Sequence, residues 1–385
     1  MLLSLRTKTA ARAFLALTAA LCLVSVAPPP AAAAPAAPRT VEVPAGVTAG
    51  VAVFDRQTGT FTEQLNTTQQ FRAASVVKLL IALDHLWNRS PYDLTTTDRA
   101  RLDVMLRSSD DDEATHYWVQ NGQGTIVDRM VSRLGLTHTA APTGTLSGYW
   151  GYTAITAADT VRIYRHLLDA APAPVRDYVM GNLRQATRCA ADDFNQHFGI
   201  AGAFNRPWAV KQGWSGFKSG GCAPTASATG TSAITADASR TEAVNNVDLV
   251  REALHTTGTV GTGDRSIVAV LTLHPDGTPY GKAYTDLGRL TRSLHVPGGV
   301  RPTGTWFGTW GSGPRVRPLP STEPEELTTL PAGVEVLVGC QKRGEQVSIP
   351  PYTNDWWAYL PQYGGYITNI YISSPGNQLP NVPIC

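Results

Sequence analysis

Apolar and polar positions alternate from Gly50 to Arg56, through Val51, Val53 and Asp55, and Gln57-Thr58-Gly59-Thr60 then turns the chain. Phe61 to Leu65 returns it, so the pattern predicts a hairpin. At Val76 to Trp87 the period becomes helical, with Val77, Leu80, Ile81 and Leu83 apolar. Further helices are predicted over 97–107, 111–119, 125–134 and 157–168, the last opened by Thr156 and Asp159 at capping-box spacing. Strands follow at 208–214, 256–260 and 266–273, and a final helix over 282–294 closes this part of the chain. Two strands, a helical block, three strands and a helix imply an α+β fold with an antiparallel five-stranded sheet.

A Gly/Pro-rich stretch from Pro297 to Pro320 then breaks the pattern, and the boundary is placed at Gly299. Beyond it, short strands at 316–319, 333–339, 346–349, 356–360 and 365–372 are parted by turns, as in a small all-β barrel. Adjacent Trp356 and Trp357 cannot both point inward on one strand, so one is expected to face solvent or a ligand. Trp356, Trp357, Tyr359, Tyr363 and Tyr366 give this segment its aromatic surplus.

Composition sharpens the class. A chain of 385 residues with 43% hydrophobic content holds two domains and is not disordered. Charged residues are 16%, below the usual ~25%, and 35 Gly with 27 Pro suit an exported, turn-rich protein. A formal net charge of +2 argues against electrostatic capture of nucleic acid. Arg6, Lys8 and Arg12, an apolar run from Ala13 to Val26 and small residues to Pro38 have the three parts of a secretory signal peptide. Cleavage is expected near Ala34 or Ala37, and the run is too short for the ~20 residues that span a bilayer. Leu21 fits poorly before a lipid-modified Cys22, so lipid anchoring is not expected.

Removing the leader takes the formal charge from +2 to −1 and leaves Cys189, Cys222, Cys340 and Cys385. An even count in an exported chain reads as two disulfides with three possible connectivities. Sequence order favours Cys189–Cys222 and Cys340–Cys385. The organisation expected is therefore a signal peptide at 1–37, a mixed domain at 40–298 and a small β domain at 299–385.

Three short motifs carry chemistry. Ser75-Val76-Val77-Lys78 opens the most apolar helix, and i, i+3 spacing puts hydroxyl and amine on one face. A serine hydroxyl is a weak nucleophile, and a partly desolvated lysine can serve as its base. The helix start adds free N–H groups for a developing oxyanion. Ser108-Ser109-Asp110-Asp111-Asp112 precedes another helix; the plain reading is capping, and a metal set of Asp110, Asp112 and His116 matches no known loop spacing. Lys211-Gln212-Gly213-Trp214 lies on a strand, where Gly permits close approach to a lysine that could hold a carboxylate.

In this order the three motifs resemble the Ser-x-x-Lys, Ser-Asp-Asn and Lys-Thr-Gly signature of the class A β-lactamase-related, penicillin-binding serine hydrolases. The resemblance, to a secreted actinobacterial type, covers residues 45–298 and implies a β-lactamase/D,D-peptidase-like fold. It implies Ser75 as the acylated nucleophile, Lys78 as its base and Ser109 as the proton relay to the leaving nitrogen. Asp111 stands at the Asn position, Lys211 orients a substrate carboxylate, and the N–H groups of Ser75 and Trp214 form the oxyanion hole beside Gly213. Asp111 replaces the usual Asn and Gln212 the usual Thr. Ser109 follows Ser75 by only 34 positions, so a subdomain is trimmed. No Glu or Asp lies between Leu136 and Ile155, where the family carries the carboxylate that activates the deacylating water. Slow deacylation of β-lactams is expected, and D,D-peptidase or esterase-like chemistry is the companion reading.

Thr353-Asn354-Asp355-Trp356-Trp357 and Gly364-Gly365-Tyr366-Ile367 resemble bacterial SH3-like domains of exported wall-associated proteins. The combined expectation is a secreted serine hydrolase with an SH3-like module, acting on peptidoglycan peptide or a β-lactam-like small molecule. It needs no cofactor, no metal, no nucleic acid and, once the leader is cut, no membrane. The competing class is a catalytically degenerate protein of the same fold that binds wall peptide. A triad built on His116, His197 or His274 lacks the Gly-x-Ser-x-Gly elbow that would support it.

Overall fold

A computed structural model describes residues 41–222 and 247–385. The leader, with Cys22 and the expected cleavage points, lies outside the described residues. The predicted hairpin is β1 (Thr48–Asp55) and β2 (Thr60–Leu65). A two-residue strand β3 (Phe71–Arg72) pairs with β4 (Ala154–Ile155), a bridge too short to leave a pattern in the sequence. Between them run α1 (Lys78–His85), α2 (Thr96–Arg107), α3 (Asp111–Gln120) and α4 (Gly124–Leu134). Next come α5 (Ala157–Arg165), α6 (Ala173–Arg184) and the single turn α7 (Ile200–Ala203). Three long strands follow, β5 (Trp208–Ser215), β6 (Ala253–Val260) and β7 (Ser266–Leu273), and then α8 (Tyr280–Ser293).

The sheet has the order β2-β1-β7-β6-β5, all antiparallel, which is the α+β architecture the element pattern implied. Apart from the exposed edge strand β2 it is buried on both faces, and the strand alternation divides the core. Ala52 and Phe54 of β1 with Ile267, Ala269 and Leu271 of β7 pack into the helical block. Val51, Val53, Val268 and Val270 point the other way, towards α8 and the C-terminal strands. Helix α1 is apolar on nearly every side, and seven of its eight residues are buried, as befits a helix at the centre of a domain.

Two expectations change in detail. Thr156 does cap α5 by accepting from Asp159 N–H at 3.1 Å, but the Asp159 carboxylate does not reach back to complete a box. It accepts instead from the N–H groups of Thr137 and His138 and the hydroxyl of Thr139, and so ties a neighbouring loop to the helix. Helix α6 also emerges from a stretch whose pattern the sequence reading passed over. It starts at Pro172-Ala173-Pro174, where proline's fixed φ suits a helix N-terminus.

The stretch 297–320, read as a Gly/Pro-rich connection, is itself built into structure. It contains β8 (Thr305–Gly308) and β9 (Arg315–Val316). Strand β9 pairs with β10 (Thr328–Thr329), and β8 pairs with β11 (Glu335–Val338). A third sheet joins β12 (Cys340–Ile349), β13 (Tyr352–Leu360) and β14 (Gly365–Thr368). On β13, Trp357 is buried and donates its indole N–H to Glu345 O, whereas Trp356 is part-exposed with the Arg343 guanidinium over its ring. The alternation argument for that pair holds.

Val316, Val336, Val338, Ala358 and Ile367 belong to the same apolar cluster as α8 and the outer face of the large sheet. Contact there is close enough to demand glycine. A Cβ on Gly281, in the first turn of α8, would lie 2.0 Å from the carbonyl oxygen of Ala332. Both expected disulfides form, Cys189–Cys222 and Cys340–Cys385. They close loops of 33 and 45 positions, spans worth roughly 3–4 kcal/mol each in the chain-entropy account.

Candidate active site

The chain enters α1 through a 3-10 turn, Ala74–Val77, where a continuous α-helix was expected from Val76. In a 3-10 turn the side chains at i and i+3 eclipse. That places Lys78 Nζ 2.8 Å from Ser75 Oγ, a hydrogen bond within a buried pair. Ser75 is 5% exposed and Lys78 fully buried, so of the two only the serine touches the solvent side. Lys78 also donates to Ser109 O at 2.6 Å, to Asp111 Oδ1 at 2.5 Å and, at 3.3 Å, to Ser109 Oγ.

The second motif comes in from the opposite wall. Asp110, not a serine, caps α3: its Oδ1 accepts from Glu113 N–H at 3.0 Å. That leaves Ser109 free to turn its hydroxyl inward. Lys211 Nζ on β5 donates to Ser109 Oγ at 2.8 Å and to Gln212 O at 3.2 Å. Ser75, Lys78, Ser109, Asp111 and Lys211 thus form one connected network drawn from α1, the α2–α3 junction and β5. Lys211 is buried throughout. Desolvation, and secondarily the charge of Lys78, holds its ammonium well below the usual lysine range, against the pull of Asp111 and Asp192.

Gly213 is what lets β5 come close to Ser75. A Cβ there would meet Ala73 O at 3.0 Å, Val76 Cγ2 at 3.1 Å and Ser75 N at 3.3 Å, tighter than packed side chains tolerate. Backbone strain gathers at the same place. Seven non-glycine residues among those described have positive φ, and three of them are Ala74, Ser109 and Asp193. Such conformations cost on the order of 1–3 kcal/mol each and persist where surrounding structure enforces them.

Two residues that the sequence reading did not single out complete the site. The stretch 136–155, which holds no carboxylate, brings Trp150 to the lysine: Lys78 Nζ lies over its ring, 4.6 Å from the centroid. The indole N–H turns away to Thr115 Oγ1 at 3.1 Å, so the lysine meets the π face of the ring, which attracts a cation but accepts no proton. On the Ser109 side, Asp192 accepts from the indole N–H of Trp214 at 2.9 Å. Burial pushes the Asp192 carboxyl up to about 6, with the Asp111 charge adding to it and the Trp214 bond and Lys78 opposing. Neither residue stands at a motif spacing. Asp192 had a faint mark in the sequence, three positions after a disulfide cysteine; Trp150 had none.

The alternative chemistries do not assemble. Asp110 is occupied as a cap, and among the described residues no group of three or more His, Cys, Asp or Glu side chains could hold a metal ion. His197 hydrogen-bonds Ala186 O through Nε2, and burial lowers its pKa to about 3. His274 pairs with Thr272 Oγ1 and burial lowers it to about 4, while His116 rests edge-on against Tyr117. None of the three stands beside Ser75.

No family model matches the chain. Over 175 residues it is 40% identical to the lipoprotein LppW of Mycobacterium tuberculosis, a stretch covering 44% of this chain and 54% of that one. The same figures hold for LppW of Mycobacterium bovis, so the chain spans about half the length of the curated relatives it matches. Among solved structures it is similar to a class A β-lactamase from Mycobacterium abscessus, at 17% identity over 64% of this chain and 92% of that one, with a TM-score of 0.44. It is also similar to an ancestral class A β-lactamase, at 14% identity over 64% and 93% of the two chains and a TM-score of 0.45. A penicillin G acyl-enzyme of PBP-A gives 13% identity over 65% and 89%, with a TM-score of 0.44.

Proposed function

We propose that the chain is an exported serine hydrolase that forms an acyl-enzyme through Ser75 on amide or ester bonds of β-lactam or cell-wall D-Ala-D-Ala-like compounds. The observation that carries this reading is the unbroken polar path from Ser75 Oγ through Lys78 Nζ to Asp111 on one side and Ser109 Oγ on the other. As Ser75 Oγ adds to the carbonyl carbon, its proton passes to Lys78 while Lys78 yields one to Asp111 Oδ1. The displaced electron pair collects on the carbonyl oxygen, facing the N–H groups of Ser75 and Trp214. On collapse, Ser109 gives its hydroxyl proton to the leaving nitrogen or oxygen and is resupplied by the lysine ammonium beside it. Lys211 fixes the Ser109 hydroxyl, and Gly213 keeps β5 close enough for both N–H groups to point at one oxygen.

Asp111 in place of Asn gives Lys78 the carboxylate that residues 136–155 do not supply. The β strands after residue 299 are read as an SH3-like module that holds wall peptide near this site. Two disulfides fit an oxidising location outside the cytoplasm, and among the described residues no helix is long and apolar enough to cross a membrane.

The test is intact-mass analysis after exposure to an activated acyl thioester. One acyl adduct is expected on the wild type, mapping to Ser75, and none on Ser75→Ala. An adduct that survives that substitution removes Ser75 from the reaction. Silence in both proteins, with wall peptide still bound, favours the non-catalytic reading.

A further inference from the structure

The position that would receive a carboxylate in the resembling family is altered here. Gln212 sends its amide nitrogen to two backbone carbonyls, Gln196 O at 3.0 Å and Phe198 O at 2.8 Å, and is 1% exposed. It offers the cleft no donor. Lys211 spends its ammonium on Ser109 Oγ and Gln212 O and is equally buried. Both groups that would greet an anion at this end of the site are committed elsewhere.

What stands there instead is an acid. Asp192 sits in a tight turn in which Ala190 N–H donates to Phe194 O at 2.8 Å. The turn is tied to the α2–α3 junction by Ala191 N–H donating to Ser108 O at 2.8 Å, and anchored by the Cys189–Cys222 disulfide. Phe194 stacks on the Trp214 ring with centroids 5.6 Å apart, which fixes the indole that Asp192 holds. One oxygen of Asp192 takes that indole N–H; the other is sealed from solvent and has no hydrogen-bond partner. A buried carboxylate oxygen left unsatisfied is costly, and in a native structure it calls for a functional account. Asp192 follows Ala191, which is bonded to Ser108 O beside Ser109, and it feels the charges of Asp111 and Lys78, so the orphan oxygen borders the network. The residue as a whole is only part-buried, and the terminal torsion of an aspartate is soft, so an arriving donor can draw the carboxyl round.

Resting on the acyl-enzyme chemistry above but narrowing its substrates, we propose that Asp192 sets substrate choice: the leaving-group side of the cleft takes a cationic group, an ammonium or guanidinium, in preference to the carboxylate that β-lactams and D-Ala-D-Ala peptides carry there. The sealed oxygen supplies the missing acceptor, and a cation supplies the counter-charge that burial denies it. A ligand carboxylate in the same place would face Asp192 and Asp111 together, and juxtaposed like charges are strongly disfavoured away from bulk water. The Ala191 N–H bond to Ser108 O sets the Asp192 turn next to the Ser109 backbone, which places the group selected by Asp192 on the leaving-group side.

Three thioesters with one acyl group and different leaving thiols test this: 2-(dimethylamino)ethanethiol, carrying a tertiary ammonium that gives no stable S-to-N acyl shift product; mercaptoethanol, neutral; and mercaptoacetate, carrying a carboxylate. Thiol release and Ser75 adduct formation are followed for each. For the wild type, kcat/KM is expected to favour the dimethylaminoethyl thioester over the mercaptoacetate one by at least about tenfold, after subtraction of the rate without enzyme. Asp192→Asn should shrink that ratio to within about threefold, and Asp192→Lys should invert it. A wild-type preference for mercaptoacetate, or a ratio unchanged in Asp192→Asn, overturns the proposal while leaving the acyl-enzyme standing. If no thioester acylates Ser75, the acyl-enzyme reading is the one that falls. Calorimetric binding of the matching unreactive amides then decides this proposal separately: the amide of N,N-dimethylethylenediamine, which keeps the distal ammonium, should bind wild type more tightly than Asp192→Asn, and equal binding overturns it.

Discussion

Lys78→Ala should slow acylation of Ser75 by at least ~10²-fold, the loss typical of removing a positioned general base. The expectation is large because no other group in the site can stand in. Lys78 is the side chain that touches Ser75 Oγ, Ser109 Oγ and Asp111 at once, so its removal cuts the proton path on both sides of the nucleophile. Lys211 cannot replace it, being held on Ser109 Oγ and the Gln212 carbonyl. The measurement is the rate of adduct formation with an activated thioester, alongside a thermal melt of the variant, since truncating a fully buried lysine also leaves a void. An unchanged acylation rate in a folded Lys78→Ala protein removes Lys78 from its role.

A β-lactam adduct, once formed, should persist for minutes or longer. Hydrolysis of an acyl-enzyme needs a water held against the ester with a base beside it. The stretch 136–155 supplies no carboxylate and presents the face of Trp150 to Lys78. An indole face neither accepts a proton nor holds a water in line. Asp111 is already engaged with the lysine at 2.5 Å. The adduct is to be followed by intact mass after excess label has been removed; rapid steady-state turnover of a chromogenic cephalosporin would show that another group activates the water.

The contrast between what the sequence disclosed and what it hid is physical. The sheet was legible because β1, β6 and β7 are long, β-branched and buried on both faces, and the hairpin turn carries its own glycine. The three motifs were legible because each places its reactive residues within four positions of one another, and local geometry then does the rest. Lys78 and Ser75 are brought together by a single turn of helix. Asp192 and Trp150 were not legible. Asp192 comes to Trp214 from 22 positions away, and Trp150 to Lys78 from the far end of four helices. No periodicity records such meetings, because only tertiary packing makes them. The same holds for the 3-10 turn at Ala74–Val77. Its residues read as good helix interior, and the close packing of Gly213 of β5 against it is a tertiary contact that no local pattern records.

The contact between Gly281 and the Ala332 carbonyl has a consequence for how the chain reaches its final state. A growing chain that has passed residue 299 already contains α8, whose Tyr280 and Tyr284 pack onto Phe194 and Phe198 of the same part. Another side of the helix, with Gly281 and Thr285, waits for Ala332 and Glu335. Val336, Val338, Ala358 and Ile367 join the shared apolar cluster later still. Until then part of that layer stands uncovered, a condition that favours aggregation. Neither part can loosen independently without uncovering the other, so heating should melt both in a single calorimetric transition. Two separated transitions would mean that the shared layer contributes little to cohesion.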